Sequence, residues 1–247
     1  MKRYVNAFWM CQSMFCAIPC PVHTWDEEAR PKMLLFLPVV GLEMGFLWAI
    51  LAWVCRLWDL PQLVTGLALC AFPYLVSGFI HLDGFMDVTD AIGSCRELEK
   101  RRAILKDPHV GSFAVIGCCL LMLAGFAFCA GSDGDLRVLI FIPVVSRCCS
   151  ALAVTVLRPM TTSQYAGNFK NGTSKMQYIV LSFMLLCTVF AAFVVCGKTA
   201  AALVGGIAGY LLALRKGFTA LDGMNGDISG YALTLSELAA LAAWAIV

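Results

Sequence analysis

Long apolar runs alternate with short polar stretches along the whole chain. Seven such runs, at about 33–55, 62–82, 110–130, 136–157, 177–196, 199–214 and 231–247, are each near the roughly 17–25 residues that a helix needs to cross a bilayer. The pattern predicts an all-α polytopic membrane protein of about seven transmembrane helices, forming one integral membrane domain over residues 1–247. Pro38, Pro73 and Pro143 fall inside these runs and are expected to kink them. Ahead of the first run, Met1–Cys20 sets Lys2 and Arg3 against Phe8, Trp9, Met14 and Phe15. That is the pattern of an amphipathic helix lying on the membrane, with its aromatic side dipping inwards. Pro19, Pro21 and Pro31 then break the chain. No cleavable leader is expected, because the apolar start is interrupted and no small-residue cleavage site follows.

Composition agrees with a bilayer as solvent. The chain is 60% hydrophobic and 14% charged, with a mean hydropathy of +0.81. A net charge of +2 says nothing about nucleic acid, and none is expected as a partner. Thirteen cysteines suggest a disulfide or zinc framework, but most lie inside apolar runs and no C-x-x-C pair exists. They are expected as packed or lipid-facing thiols, with Cys95 the one candidate for reactivity. Basic residues cluster before the first run (Lys2, Arg3, Arg30, Lys32) and between the second and third (Arg96, Lys100, Arg101, Arg102, Lys106). They recur between the fourth and fifth (Arg158, Lys170, Lys175) and between the sixth and seventh (Arg215, Lys216). The remaining connections hold only Arg56, Arg137 and Lys198. This bias predicts a cytoplasmic N terminus and an outward C terminus, with residues 83–112 and 217–230 on the cytoplasmic side.

One polar stretch stands out. Asp83, Asp87 and Asp90 follow the second apolar run at i, i+4 and i+7, so on a helix they fall within about 60° of one another. Ser94 extends that face, while Phe85, Val88 and Ile92 point towards packing. Carboxylates about 6 Å apart repel by roughly 3 kcal/mol per pair at an effective dielectric of 20. A divalent cation is the simplest compensation, and oxygen-only donors suit Mg²⁺ or Mn²⁺. The bland alternative is a helix end screened by water.

Other candidates sit on the same side. Asp227 lies in Gly223-Met224-Asn225-Gly226-Asp227, where glycines permit close backbone approach to a phosphate, or where the aspartate simply caps a turn. Lys106, beside Asp107 and Pro108, is placed to neutralise a phosphate or to anchor the chain. Arg101 and Arg102 read as topology anchors. Arg147 lies in the body of the fourth run, where an arginine needs a partner, either Glu43 or a phosphate. Glu237 is read as snorkelling or pairing locally, and His81 as a packing or supporting histidine. Leu82-Asp83-Gly84 echoes Leu221-Asp222-Gly223, which chance readily explains.

The run His81-Leu82-Asp83-Gly84-Phe85-Met86-Asp87-Val88-Thr89-Asp90, followed by Ile104-Leu105-Lys106-Asp107-Pro108-His109-Val110-Gly111, resembles the cobalamin synthase family, the adenosylcobinamide-GDP ribazoletransferases. Leu37-Pro38-Val39-Val40-Gly41 and Asn225-Gly226-Asp227-Ile228-Ser229-Gly230 resemble two further pieces of the family pattern, in order. Ala91, Asn225 and Ser146 depart from the glycine, threonine and glycine usual there. The resemblance implies a bacterial inner-membrane transferase with its site facing the cytoplasm. Its implied reaction joins adenosylcobinamide-GDP to α-ribazole or its 5′-phosphate, with release of GMP. It also implies Mg²⁺ on Asp83, Asp87, Asp90 and Asp227, a catalytic role for Asp83, Asp87, Asp90 and Lys106, and substrate contacts from His81, Gly84, Asp107, Arg147, Asn225 and Gly226. Asp90 is the expected proton acceptor. The implied partners are the corrinoid nucleotide, the ribazole and the lipid bilayer; oligomeric state is left open. Two other classes compete. A cation-coupled transporter would place acids near the bilayer midplane. CDP-alcohol phosphotransferases stack aspartates comparably, but their D-G-x-x-A-R element is absent, since Phe85-Met86-Asp87 follows Asp83-Gly84.

Overall fold

The computed structural model describes residues 2–161 and 174–247. Lys170, one of the basic residues that set the expected orientation, lies outside them. Among the described residues the chain forms ten α-helices: α1 (Lys2–Phe15), α2 (Met33–Leu57), α3 (Gln62–Val76), α4 (Ile80–Gly93), α5 (Leu98–Ile104), α6 (Ser112–Gly131), α7 (Val138–Val156), α8 (Lys175–Cys196), α9 (Ala201–Leu221) and α10 (Gly226–Ile246). Short 3₁₀ turns precede α2 and join α8 to α9. The protein is an all-α polytopic membrane protein.

Small residues set how closely the helices pack, as in membrane bundles generally. Gly41 and Gly45 face α7, and a Cβ at Gly41 would lie 2.6 Å from the Pro143 carbonyl oxygen. Gly205 and Gly209 meet Ala243 and Ala239 in the same way, joining α9 to α10. The buried Trp48 donates its indole N–H to the Leu69 carbonyl (3.0 Å), fixing α2 to α3.

The bundle has two distinguishable ends. At one, Gln177 at the start of α8 donates to the Pro31 carbonyl (3.1 Å), and Arg102 donates to the Leu221 carbonyl (3.1 Å). At the other, Gln62 reaches the Ala130 carbonyl, Ser132 the Trp244 carbonyl and Lys198 the Val247 carbonyl. The connections around 83–112 and 217–230 therefore share one end, as the charge bias predicts.

Six of the seven expected apolar runs correspond to single helices and the seventh, 62–82, is broken, so the exact count of seven crossings is not confirmed. Five helical stretches among the described residues are long and apolar enough to cross a membrane, or six if the bent α3–α4 pair is one span. The longest, Lys175–Leu221, comprises α8 and α9 with a turn at Gly197 (φ 57°). The predicted 62–82 span is broken: α3 and α4 meet at 92°. The break is not at Pro73, which α3 accommodates, nor do Pro38 and Pro143 end α2 and α7. Instead α3 ends with Gly78 in the left-handed region (φ 62°). The Phe79 N–H returns to the Tyr74 carbonyl and the Gly78 N–H to the Leu75 carbonyl. This double closure satisfies the last carbonyls of a helix and stops it. The basic 96–106 stretch, expected as a loop, contains α5.

The N-terminal helix exists, but Ala7, Met10, Cys11 and Phe15 are buried against the protein itself. Phe8 meets Phe36 of α2 edge to face (5.8 Å between centroids). All thirteen cysteines are free thiols, and Cys95 is exposed.

Candidate active site

The acid helix α4 begins directly after the break. Phe79, also left-handed (φ 63°), is its N-cap residue. Phe85, Val88 and Ala91 are buried, so the opposite face carries Asp83 exposed and Asp87 and Asp90 half-buried. The i, i+4, i+7 spacing thus becomes one acid face, as expected.

Helix α10 brings Asp227 to that face. Asn225, at the position where threonine was expected, is the N-cap: its side-chain oxygen accepts from the Ile228 N–H (2.9 Å). Its amide Nδ2 donates to Asp227 Oδ2 (2.6 Å). Asp227 is therefore not the cap; it sits in the first turn, oriented by the residue that is. Close contact with α4 follows from Gly84, where a Cβ would lie 2.9 Å from Asp227 Cα. Two further contacts continue the seam. Phe85 stacks on Tyr231 (5.7 Å), and Thr234 Oγ1 donates to the His81 carbonyl (3.2 Å). Asp83, Asp90 and Asp227 all lie close enough to Asp87 to act on it electrostatically.

Asp90 points elsewhere. Its carboxylate accepts from the Ala114 N–H at the start of α6 (3.3 Å) and packs on Gly111. A carboxylate there offsets the positive end of the helix dipole.

A cavity of about 420 Å³ opens beside the acids, lined by His81, Asp83, Lys106, Asn225, Gly226 and Asp227 among others. The remaining expected site residues are placed differently. Asp107 is exposed and accepts from the backbone N–H and ring of His109. Those contacts, the backbone one foremost, hold its carboxyl below the usual carboxylate range. Arg147 is fully buried and pairs with Glu237 (2.6 Å), with further contacts to Ser146, the Pro143 carbonyl and Met44. Its partner is neither Glu43 nor an open anion site, and Glu237 pairs across the bundle rather than locally.

Arg101 and Arg102 do more than anchor topology. They donate to the carbonyls of Ala220, Leu221 and Asp222, where α9 ends and its last carbonyls lack helical partners. Asp222, in the left-handed conformation at that end, is gripped by Arg158 and Arg102. The Arg158 guanidinium is the main reason its carboxyl sits below the usual range. The echo between 82–84 and 221–223 has no structural counterpart: one lies inside a helix, the other at a helix end. Sequence reasoning also missed Phe15, Ser150 and Ser229, which line the cavity. Only the aromatic side of the N-terminal helix hinted at the first.

The donor set can be tested against a hard divalent cation. Asp83, Asp87 and Asp227 offer oxygen only, which fits Mg²⁺ or Mn²⁺. Among the described residues no three acidic, histidine or cysteine groups already converge as a cage.

Comparison with known proteins bears on these features together. The family model for cobalamin-5-phosphate synthase matches residues 7–245. An adenosylcobinamide-GDP ribazoletransferase of Clostridium perfringens is 36% identical over 242 residues, covering 96% of both chains. Another of Clostridium botulinum is 29% identical, covering 98% of this chain and 97% of that one. No solved structure matches the chain. The match runs through the acid helix, the Lys106 segment and the start of α10 alike, and the chain belongs to the cobalamin-5-phosphate synthase family.

Proposed function

We propose that this protein is an adenosylcobinamide-GDP ribazoletransferase of a bacterial inner membrane, with its site facing the cytoplasm. It joins adenosylcobinamide-GDP to α-ribazole or its 5′-phosphate and releases GMP. The observation that carries the reading is the meeting of Asp83 and Asp87 with Asp227 across Gly84, beside a cavity that Lys106 also lines.

The ribose hydroxyl attacks the phosphorus that bears the cobinamide; the bond to the GMP oxygen breaks, and the hydroxyl proton leaves. Asp83 is the residue placed to take that proton, since its carboxylate lines the cavity without a hydrogen-bond partner among the described contacts. Asp90, the earlier candidate, is engaged at the α6 N-terminus. Asp87 and Asp227 would hold Mg²⁺, which when bound would neutralise charge on the diphosphate and its leaving group. Asn225 orients Asp227, and Lys106 adds positive charge at the rim. The acids lie at one end of the bundle rather than midway along it, which disfavours a transport pathway.

Purified protein in detergent, given both substrates and Mg²⁺, should release GMP. Asp83→Asn and Asp87→Asn should each lower turnover by about 10²–10⁴-fold while leaving folded protein. Full turnover in excess EDTA would remove the metal, and no GMP release would remove the reaction.

A further inference from the structure

The two sides of the cavity differ in chemistry. Helices α4 and α10 supply His81, Asp83, Asp227 and Ser229; helices α1, α2 and α7 supply Phe15, Leu34, Leu37 and Val154. Charge lies on the first side and at the Arg102–Lys106 rim, while the second side carries no charged group. Between them Ser150 and Ser229 share a hydrogen bond of 2.6 Å. The Phe15 ring lies parallel to that of His81, with centroids 5.9 Å apart. His81 is buried, and its Nδ1 has no hydrogen-bond partner.

We infer that this cavity is the acceptor-nucleoside subsite, with a neutral bicyclic aromatic base against the Phe15–Leu37–Val154 side and its ribose towards Asp83 and Asp227. The inference rests on the proposed transferase reaction and adds which substrate enters, which way round, and which residues select its base. Size makes the first choice. About 420 Å³ lies at the lower end of the roughly 300–1,000 Å³ typical of small-molecule pockets, enough for a nucleoside and far too little for a corrinoid carrying a nucleotide. Chemistry makes the second. A guanine edge offers several donors and acceptors that Leu34, Leu37 and Val154 cannot satisfy, whereas a benzimidazole loses little by leaving water there. Orientation follows, because only the polar side can receive ribose hydroxyls. The selecting residues are then those that line the apolar side, Leu37 among them.

The test uses full-length protein in detergent with Leu37→Phe and Leu37→Ala. Steady-state KM would be measured for adenosylcobinamide-GDP, for α-ribazole and for its analogue with unsubstituted benzimidazole. Leu37→Phe should raise KM for α-ribazole at least tenfold, and less for the smaller base, with KM for the corrinoid nucleotide within twofold of wild type. Leu37→Ala, which adds space rather than bulk, should shift preference towards the bulkier base. Parallel shifts in both substrates' KM, or no change in base preference in either variant, would overturn the subsite. Equilibrium dialysis of radiolabelled α-ribazole separates the two proposals. Wild-type binding that Leu37→Phe weakens supports the subsite even if no GMP is released, and that result would instead fault the reaction. Binding unchanged by Leu37→Phe, or absent from wild type, would overturn the subsite.

Discussion

Gly84 decides how closely the two acid-bearing helices meet. With Asp227 Cα 2.9 Å from where a Cβ would stand, Gly84→Ala must push α10 away or shift α4. Overpacking of this kind costs about 1–3 kcal/mol. We expect Gly84→Ala to keep its helical content but to lose Mg²⁺-dependent turnover disproportionately, read as a raised Mg²⁺ requirement; an unchanged metal requirement would mean Asp227 does not share the site. The acid face itself was legible in the sequence because i, i+4 and i+7 are local relations that any helix enforces. Asp227 was legible through its flanking glycines, the family resemblance and the charge bias that puts it at the same end, but no local relation ties it to the acid face. That Asn225 rather than Asp227 is the cap depends on one side-chain rotation at a helix start. That Asp90 turns to α6 depends on a partner twenty-four residues away.

Among elements, α7 and α10 are fastened by Arg147 and Glu237. A buried charge that loses its partner is costly, about 3–5 kcal/mol, whereas replacing both partners with apolar residues is often near neutral. Arg147→Met alone and Glu237→Leu alone should each lower the detergent unfolding midpoint clearly, and the double variant should fall less than the sum of the two. Additive losses would show that the pair does not act as a unit. The α9–α10 connection makes a different prediction. Because Asp222 has a depressed carboxyl, its grip on Arg158 and Arg102 is complete above the ordinary carboxylate value of 3.8 and fades as pH falls through the lower folded value. Acid unfolding profiles of wild type and Asp222→Asn should therefore converge below that range and separate above it. These pairings lie ninety, sixty-four and one hundred and twenty residues apart, and no local pattern announces them. The break between α3 and α4 was more accessible: Gly78 after an apolar run is a stop signal, overlooked because the hydropathy continues past it to Leu82.

For the whole molecule, the break has a mechanical meaning. At 1.5 Å per residue, the 15 residues of α3 and 14 of α4 extend only about 20–23 Å each, short of the roughly 30 Å hydrocarbon core. The two meet at 92°, so their lengths do not add along one axis. Helices α2, α8, α9 and α10, at 21–25 residues, are long enough to span that core unaided. A bilayer thicker than the bent pair can match must thin locally or pull on the Gly78–Phe79 joint, at a fraction of a kcal/mol per Å. That joint begins the helix carrying Asp83 and Asp87. Turnover in vesicles should then peak at an intermediate acyl length and fall as chains lengthen, with substrate KM changing less than kcat; a flat response across chain lengths would exclude the coupling. The thickness of the surrounding lipid, which touches none of the acids, becomes one of the variables that set their alignment.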